Sequence, residues 1–194
     1  MFDNVVETLE RCKSQEGFGC VLAHAMGLGK TLQVISFCDV FLRYTGHLHV
    51  LIIVPVNTIQ TWKSEFNRWL PEAPVGFEAT SPDKDEIDHR VLPIFGIDET
   101  TKTQEQRFEV IHRWKCQGGV LIMGYETFRI LVTRKKNHVE TERDTGIAEA
   151  LLDPGPQLVI CDEGHRVKNE NAQVTTPSQF DHQHLSQISS FRKR

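Results

Sequence analysis

Near its start the chain carries the run Ala23-His24-Ala25-Met26-Gly27-Leu28-Gly29-Lys30-Thr31, and far downstream it carries Asp162-Glu163-Gly164-His165. Each follows a short apolar stretch: residues 18–23 in the first case, Leu158-Val159-Ile160-Cys161 in the second. Together they narrow the possible folds more than any other feature. A strand that turns through glycines straight into a helix gathers backbone N–H groups and a helix N-terminus at one spot, which is how a phosphate is cradled. An acidic pair at the end of a second strand offers oxygen ligands for a hard cation and a base for water. Strand ends at the carboxyl edge of a parallel sheet are where ligands bind. The two segments therefore predict a site for ATP and Mg2+.

The residues between them alternate strand and helix. Residues 31–44 place Leu32, Ile35, Cys38, Phe41 and Leu42 at helical spacing. Residues 50–54 (Val-Leu-Ile-Ile-Val) form a continuous apolar run, the mark of a strand covered on both faces. Pro55 ends it, and Asn57 or Thr58 is placed to cap a helix carrying Ile59, Trp62, Phe66, Trp69 and Leu70 on one stripe. Residues 72–90 are polar and read as a loop, and residues 91–97 as a strand. A helix over 103–116, a strand over 120–123 and a helix over 125–132 follow. Residues 134–144 are charged and aperiodic, an exposed insertion, and residues 147–152 end a further helix. Such alternation calls for an α/β domain whose mostly parallel sheet is flanked by helices. Its extent is residues 1–169. Residues 170–194 are rich in Gln, Ser, Thr and His with isolated apolar residues, so a disordered tail is expected there.

Each member of the phosphate run has an expected part. Residues 24–31 (His24, Ala25, Met26, Gly27, Leu28, Gly29, Lys30 and Thr31) surround the nucleotide. The Lys30 ammonium reaches the β- and γ-phosphates and the Thr31 hydroxyl ligates Mg2+. Asp162 holds the same metal through water, and Glu163 orients and deprotonates the attacking water. The full glycine-loop pattern has Gly where this chain has His24.

Bulk properties set the remaining bounds. A net charge of −4 over 194 residues gives no global basic field, so any nucleic-acid contact must be local. Cys12, Cys20, Cys38, Cys116 and Cys161 form no C-x-x-C pair, and three of them lie in apolar segments, the pattern of buried free thiols in a reducing compartment. The longest apolar runs are far too short to span a bilayer. A GTPase would carry Asn-Lys-x-Asp for guanine, and this sequence does not. His182-x-His184 and Arg134-Lys135-Lys136 read as polar tail and exposed charged loop rather than as metal or DNA sites.

The run from Ala23 to Thr31 and the Asp-Glu-Gly-His spelling resemble motifs I and II of superfamily-two helicase-like ATPases of the SWI/SNF chromatin-remodelling type. Val54-Pro55-Val56-Asn57-Thr58 with Trp62 resembles motif Ia, and Met123-Gly124-Tyr125-Glu126 resembles a later strand–helix junction of the same lobe. His24 and Gly164 point to the subgroup that holds the androgen-receptor-interacting ATPases and the alpha-thalassaemia/X-linked-retardation remodellers, and residues 18–24, 53–58 and 161–169 resemble the first of these more. The resemblance spans residues 2–169. It implies the first lobe of a RecA-like P-loop NTPase, DNA-dependent ATP hydrolysis, tracking along double-stranded DNA in chromatin, and a nuclear location. Nuclear receptors or other transcription factors would be its protein partners. It further implies that His165 relays the state of the γ-phosphate and that residues 55–58 lie near the DNA backbone.

The sequence departs from that family after Asn169, where a strand reading Leu-Thr-Gly-Thr-Pro or similar is expected and none is found. The lobe is therefore expected to be incomplete, with its sheet interrupted between the phosphate-loop strand and the acidic strand. Without a second lobe and its arginine fingers, weak ATP binding and negligible turnover are expected. A truncated, non-catalytic product acting as decoy or scaffold is the alternative.

Overall fold

In the computed structural model the described residues are 5, 6, 8, 20–24, 27–72, 89–90, 93–133, 142–163 and 188–191. Their elements, in chain order, are β1 (Val21–Leu22), α1 (Lys30–Tyr44), β2 (His49–Val54), a 3-10 turn (Val56–Thr58), α2 (Ile59–Trp69), β3 (Ile94–Ile97), α3 (Gln104–Gln117), β4 (Gly119–Gly124), α4 (Tyr125–Val132), α5 (Glu142–Leu151), β5 (Leu158–Asp162) and β6 (Ile188–Phe191). The six strands form one sheet in the order β1-β6-β5-β2-β4-β3, and each neighbouring pair is parallel.

The continuous apolar run of β2 is explained by helices on both faces. Val50, Ile52 and Val54 pack with α1 and α2 through Val34, Ile35, Phe41, Trp62 and Phe66. Leu51 and Ile53 point the other way, into a second cluster with Ile111, Trp114, Phe128 and Leu151. Successive side chains of a strand alternate between faces, so a strand in a doubly covered sheet has no polar position to spare. The predicted strand and helix spans agree with these elements to within a few residues wherever they are described.

Two stripe residues were assigned inward and are not. Leu32 is 36% exposed and Trp69 is 42% exposed. The buried face of α1 instead runs through Val34, Ile35, Phe37, Cys38, Phe41 and Leu42. At the end of α2, the Trp69 indole donates to Glu65 Oε2 at 2.8 Å, and the Arg68 guanidinium lies 4.9 Å from its ring centre. An indole has an apolar body and a polar edge, and here both are served at the surface.

The largest departure concerns the tail. The expected gap at the sheet centre is filled: β6 lies between β1 and β5. The reason lies in the backbone. A slot between two parallel strands presents unpaired N–H and C=O groups on both sides, and a short extended segment can satisfy both rows whatever its side chains. Of the residues assigned to a disordered tail, 170–194, only 188–191 are described, and those form a strand.

Candidate nucleotide-binding site

β1 ends at Leu22, and the chain turns through the glycine loop into α1. Gly27 has φ +80° and Gly29 has φ +68°, both in the left-handed region. A Cβ at either position would meet nothing within 4 Å, so glycine is required there by backbone angle and not by space. Gly29 is the N-terminal flanking residue of α1, and no side chain caps the helix. The first turn of a helix leaves N–H groups without intrahelical partners, and the helix dipole makes that end positive. The loop is held by side chains from the first turn of α1: Lys30 Nζ donates to the His24 carbonyl at 2.8 Å, and Gln33 Nε2 donates to the Leu28 carbonyl at 3.1 Å. His24 thus enters through its main chain, while Leu28 is 60% exposed at the rim. Ala25, Met26 and His165 lie outside the described residues.

The acidic pair stands at the end of β5. Trp62 Nε1 donates to Asp162 Oδ2 at 3.1 Å, and the Tyr125 hydroxyl donates to the Asp162 carbonyl at 2.6 Å. Glu163 then leaves the strand with φ +55°, a conformation uncommon outside glycine. Cys161, just before, is fully buried. Desolvation pushes its thiol up to about 12, the Tyr125 hydroxyl opposes that rise and the Asp162 charge adds to it. Such a thiol is a packing group, not a nucleophile.

Register brings the two motifs together. Leu22, the last residue of β1, pairs with Phe191, and so does Asp162, the last residue of β5. Strands in a sheet lie about 4.8 Å apart, so the ends of β1 and β5 are about 10 Å apart and at the same level. Both chains leave the sheet at its carboxyl edge, on either side of β6. The segment Pro55–Thr58 emerges from the adjacent β2 at that same edge. There the cap expected from Asn57 or Thr58 is not made: no side chain caps α2, and the Thr58 hydroxyl donates instead to the Pro55 carbonyl at 2.8 Å. The 3-10 turn already closes the backbone at this point, with Thr58 N donating to the same carbonyl at 2.9 Å, so the hydroxyl is drawn to it as well.

The donor set fits a nucleotide with its metal. An uncapped helix N-terminus, two left-handed glycines with open space above them and a lysine on the same loop suit phosphates. The carboxylate of Asp162 and the hydroxyl of Thr31 are hard oxygen donors of the kind Mg2+ takes. Sequence reasoning missed the grip on Asp162. Trp62 and Tyr125 stood in recognised segments, but that their polar ends converge on one residue is set by strand register, which no local pattern reveals.

Comparison with known proteins decides the family. The family model described as the SNF2-related domain matches residues 3–187. The chain belongs to the SNF2-related family. It is 45% identical over 197 residues to Helicase ARIP4 of Mus musculus and 37% identical over 178 residues to the Transcriptional regulator ATRX homolog of Drosophila melanogaster. Both comparisons cover 90% of this chain; they take in 13% of the mouse protein and 12% of the fly protein. The SNF2-related chain thus spans about an eighth of the length of these relatives. Among solved structures, the crystal structure of T4 UvsW aligns with a TM-score of 0.50 at 12% identity, over 97% of this chain and 28% of that one, a likeness of fold alone. The expected family and fold class are met: this is a SNF2-related domain with a parallel sheet between two layers of helices. No helix among the described residues is long and apolar enough to cross a membrane.

Proposed function

We propose that this SNF2-related domain is the ATP-binding lobe of a DNA-dependent translocase of the chromatin-remodelling type, acting in the nucleus on double-stranded DNA in chromatin. Nuclear receptors or other transcription factors are its proposed protein partners. The observation that carries the nucleotide reading is the shared pairing of Leu22 and Asp162 with Phe191, which sets the glycine loop beside the acidic pair. In this reading Lys30 and the N–H groups of residues 27–31 bind the phosphates. Thr31 and Asp162 would hold Mg2+, which would supply positive charge to offset that of the phosphates. Glu163 takes the proton from the attacking water.

The DNA reading rests on family membership and on the exposed turn after β2. Val56 and Asn57 are exposed there, where backbone N–H groups ahead of α2 can meet a DNA phosphate. Equilibrium binding of a ribose-labelled fluorescent ATP, with and without Lys30→Ala, tests the nucleotide site. Equal affinity in the two proteins would remove it. Duplex DNA binding with Asn57→Ala tests the second contact, and an unchanged affinity would discard it.

A further inference from the structure

We infer that Trp62 and Tyr125 are positioning residues that grip Asp162 from the two faces of the sheet and aim its carboxylate at magnesium, so that the helix following Pro55–Thr58 is tied directly to the metal ligand. This inference rests on the nucleotide reading of the site. Trp62 belongs to α2 and packs in the core layer shared with α1. Tyr125 opens α4 and packs against the opposite layer. The two helices therefore reach one residue, at the end of β5, from opposite sides.

Each contact fixes a different part of Asp162. An indole N–H is a donor only, so the Trp62 bond at 3.1 Å engages one carboxylate oxygen, Oδ2, and restrains where it lies. The Trp62 ring is 5% exposed and lies beside Phe66 with ring centres 6.4 Å apart, which leaves it little freedom to follow a moving carboxylate. Oδ1 accepts from none of the described residues and is left for the metal or its water. The Tyr125 hydroxyl holds the peptide carbonyl at 2.6 Å. That peptide leads into Glu163, whose left-handed backbone is held only where its surroundings enforce it. Magnesium demands near-ideal ligand geometry, so a carboxylate free to rotate would hold it poorly. A buried indole needs some acceptor merely to satisfy its N–H. A positioning role therefore has to be read in metal binding, not in stability.

The experiment titrates Mg2+ into the chain bound to ribose-labelled fluorescent ATP and compares the wild type with Trp62→Phe, which keeps a ring and removes the donor. Groups that orient a metal ligand typically govern metal affinity by about 10- to 100-fold. Trp62→Phe should raise the half-saturating Mg2+ concentration by about that factor, while leaving nucleotide affinity in excess EDTA unchanged. An unchanged Mg2+ requirement would overturn the inference. Should Trp62→Phe lose its far-ultraviolet circular dichroism, Tyr125→Phe, which deletes a single oxygen, carries the same test with the same expected direction and the same refuting result. Failure of the underlying reading shows separately and earlier: wild type and Lys30→Ala would then bind nucleotide alike before any change at Trp62, and the inference would fall with the site.

Discussion

Gly29→Ala is the sharpest probe of the glycine loop. Gly29 has φ +68° and ψ +26°, and a Cβ there meets nothing within 4 Å. Alanine therefore adds no clash, only the cost of a left-handed backbone for an L residue, about 1–2 kcal/mol. The free loop can avoid that cost by swinging Gly29 out of the left-handed region, because the position carries little of the core. Binding phosphate would require the N–H groups of Lys30 and Thr31 to converge again, so the strain reappears as lost affinity. With RT near 0.59 kcal/mol, 1–2 kcal/mol corresponds to about 5- to 30-fold weaker binding. Fluorescence anisotropy with labelled ATP measures that change, and urea denaturation of the free chain should move by less than about 1 kcal/mol. If Gly29→Ala bound nucleotide as tightly as the wild type, the loop would not be using its left-handed turn to hold phosphate, and the argument from glycine angle to phosphate cradle would be wrong.

Gly96→Ala places a Cβ 3.1 Å from Lys63 Cδ, whose ammonium lies 3.2 Å from Asp98 Oδ2, so the lysine must shift and the link between α2 and β3 weakens. Urea denaturation should register a loss of about 1 kcal/mol, and an unchanged midpoint would mean that the pair contributes nothing. Burial alone would raise the Asp98 carboxyl, but bonds from Thr100 and the Lys63 ammonium outweigh it and hold the group at about 2, against 3.8 ordinarily. A depressed acid stabilises the fold above its unfolded value and loses that contribution as pH falls through its folded value. The stability gap between wild type and Asp98→Asn should therefore be complete at neutral pH and close between about pH 4 and about pH 2; a constant gap would refute it. Ser189→Pro removes a backbone donor from β6, the strand through which β1 joins the sheet, and should weaken ATP-analogue binding at least tenfold (about 1.4 kcal/mol) while the β2–β5 core keeps its cooperative urea transition. Wild-type affinity in that variant would show that the phosphate loop does not depend on β6.

What could be read in the sequence was what local rules govern. The apolar run of β2, the stripe of Ile59, Trp62 and Phe66 and the glycine turn before Lys30 each declare themselves over a few residues, and each stands where it was placed. Trp69 and Leu32 fit the helical period but lie at its margin, where the width of the apolar stripe depends on the neighbouring helix and not on spacing. The strand Ile188–Phe191 was not legible at all, because its sequence is polar at its centre and its place depends on the row of unpaired backbone groups that β1 and β5 present. The convergence of Trp62 and Tyr125 on Asp162 falls in the same class, since it joins residues separated by 100 and 37 positions.

These non-local features share one physical origin, the carboxyl edge of the sheet around β5. β5 is flanked by β6 and β2, so the glycine loop lies across β6 on one side and Pro55–Thr58 follows β2 on the other. Asp162 sits between them, its carboxylate bonded to the helix that continues from Pro55–Thr58. On the proposed reading, a DNA phosphate that displaced α2 would act on the Asp162 carboxylate through the Trp62 hydrogen bond, as well as on the core that α2 shares with α1 and β2. Trp62 joins the two ends, its ring buried in that core and its N–H on the carboxylate. In a lobe that binds nucleotide and DNA as proposed, a shift of that indole would turn the Asp162 carboxylate and so alter how the metal is held.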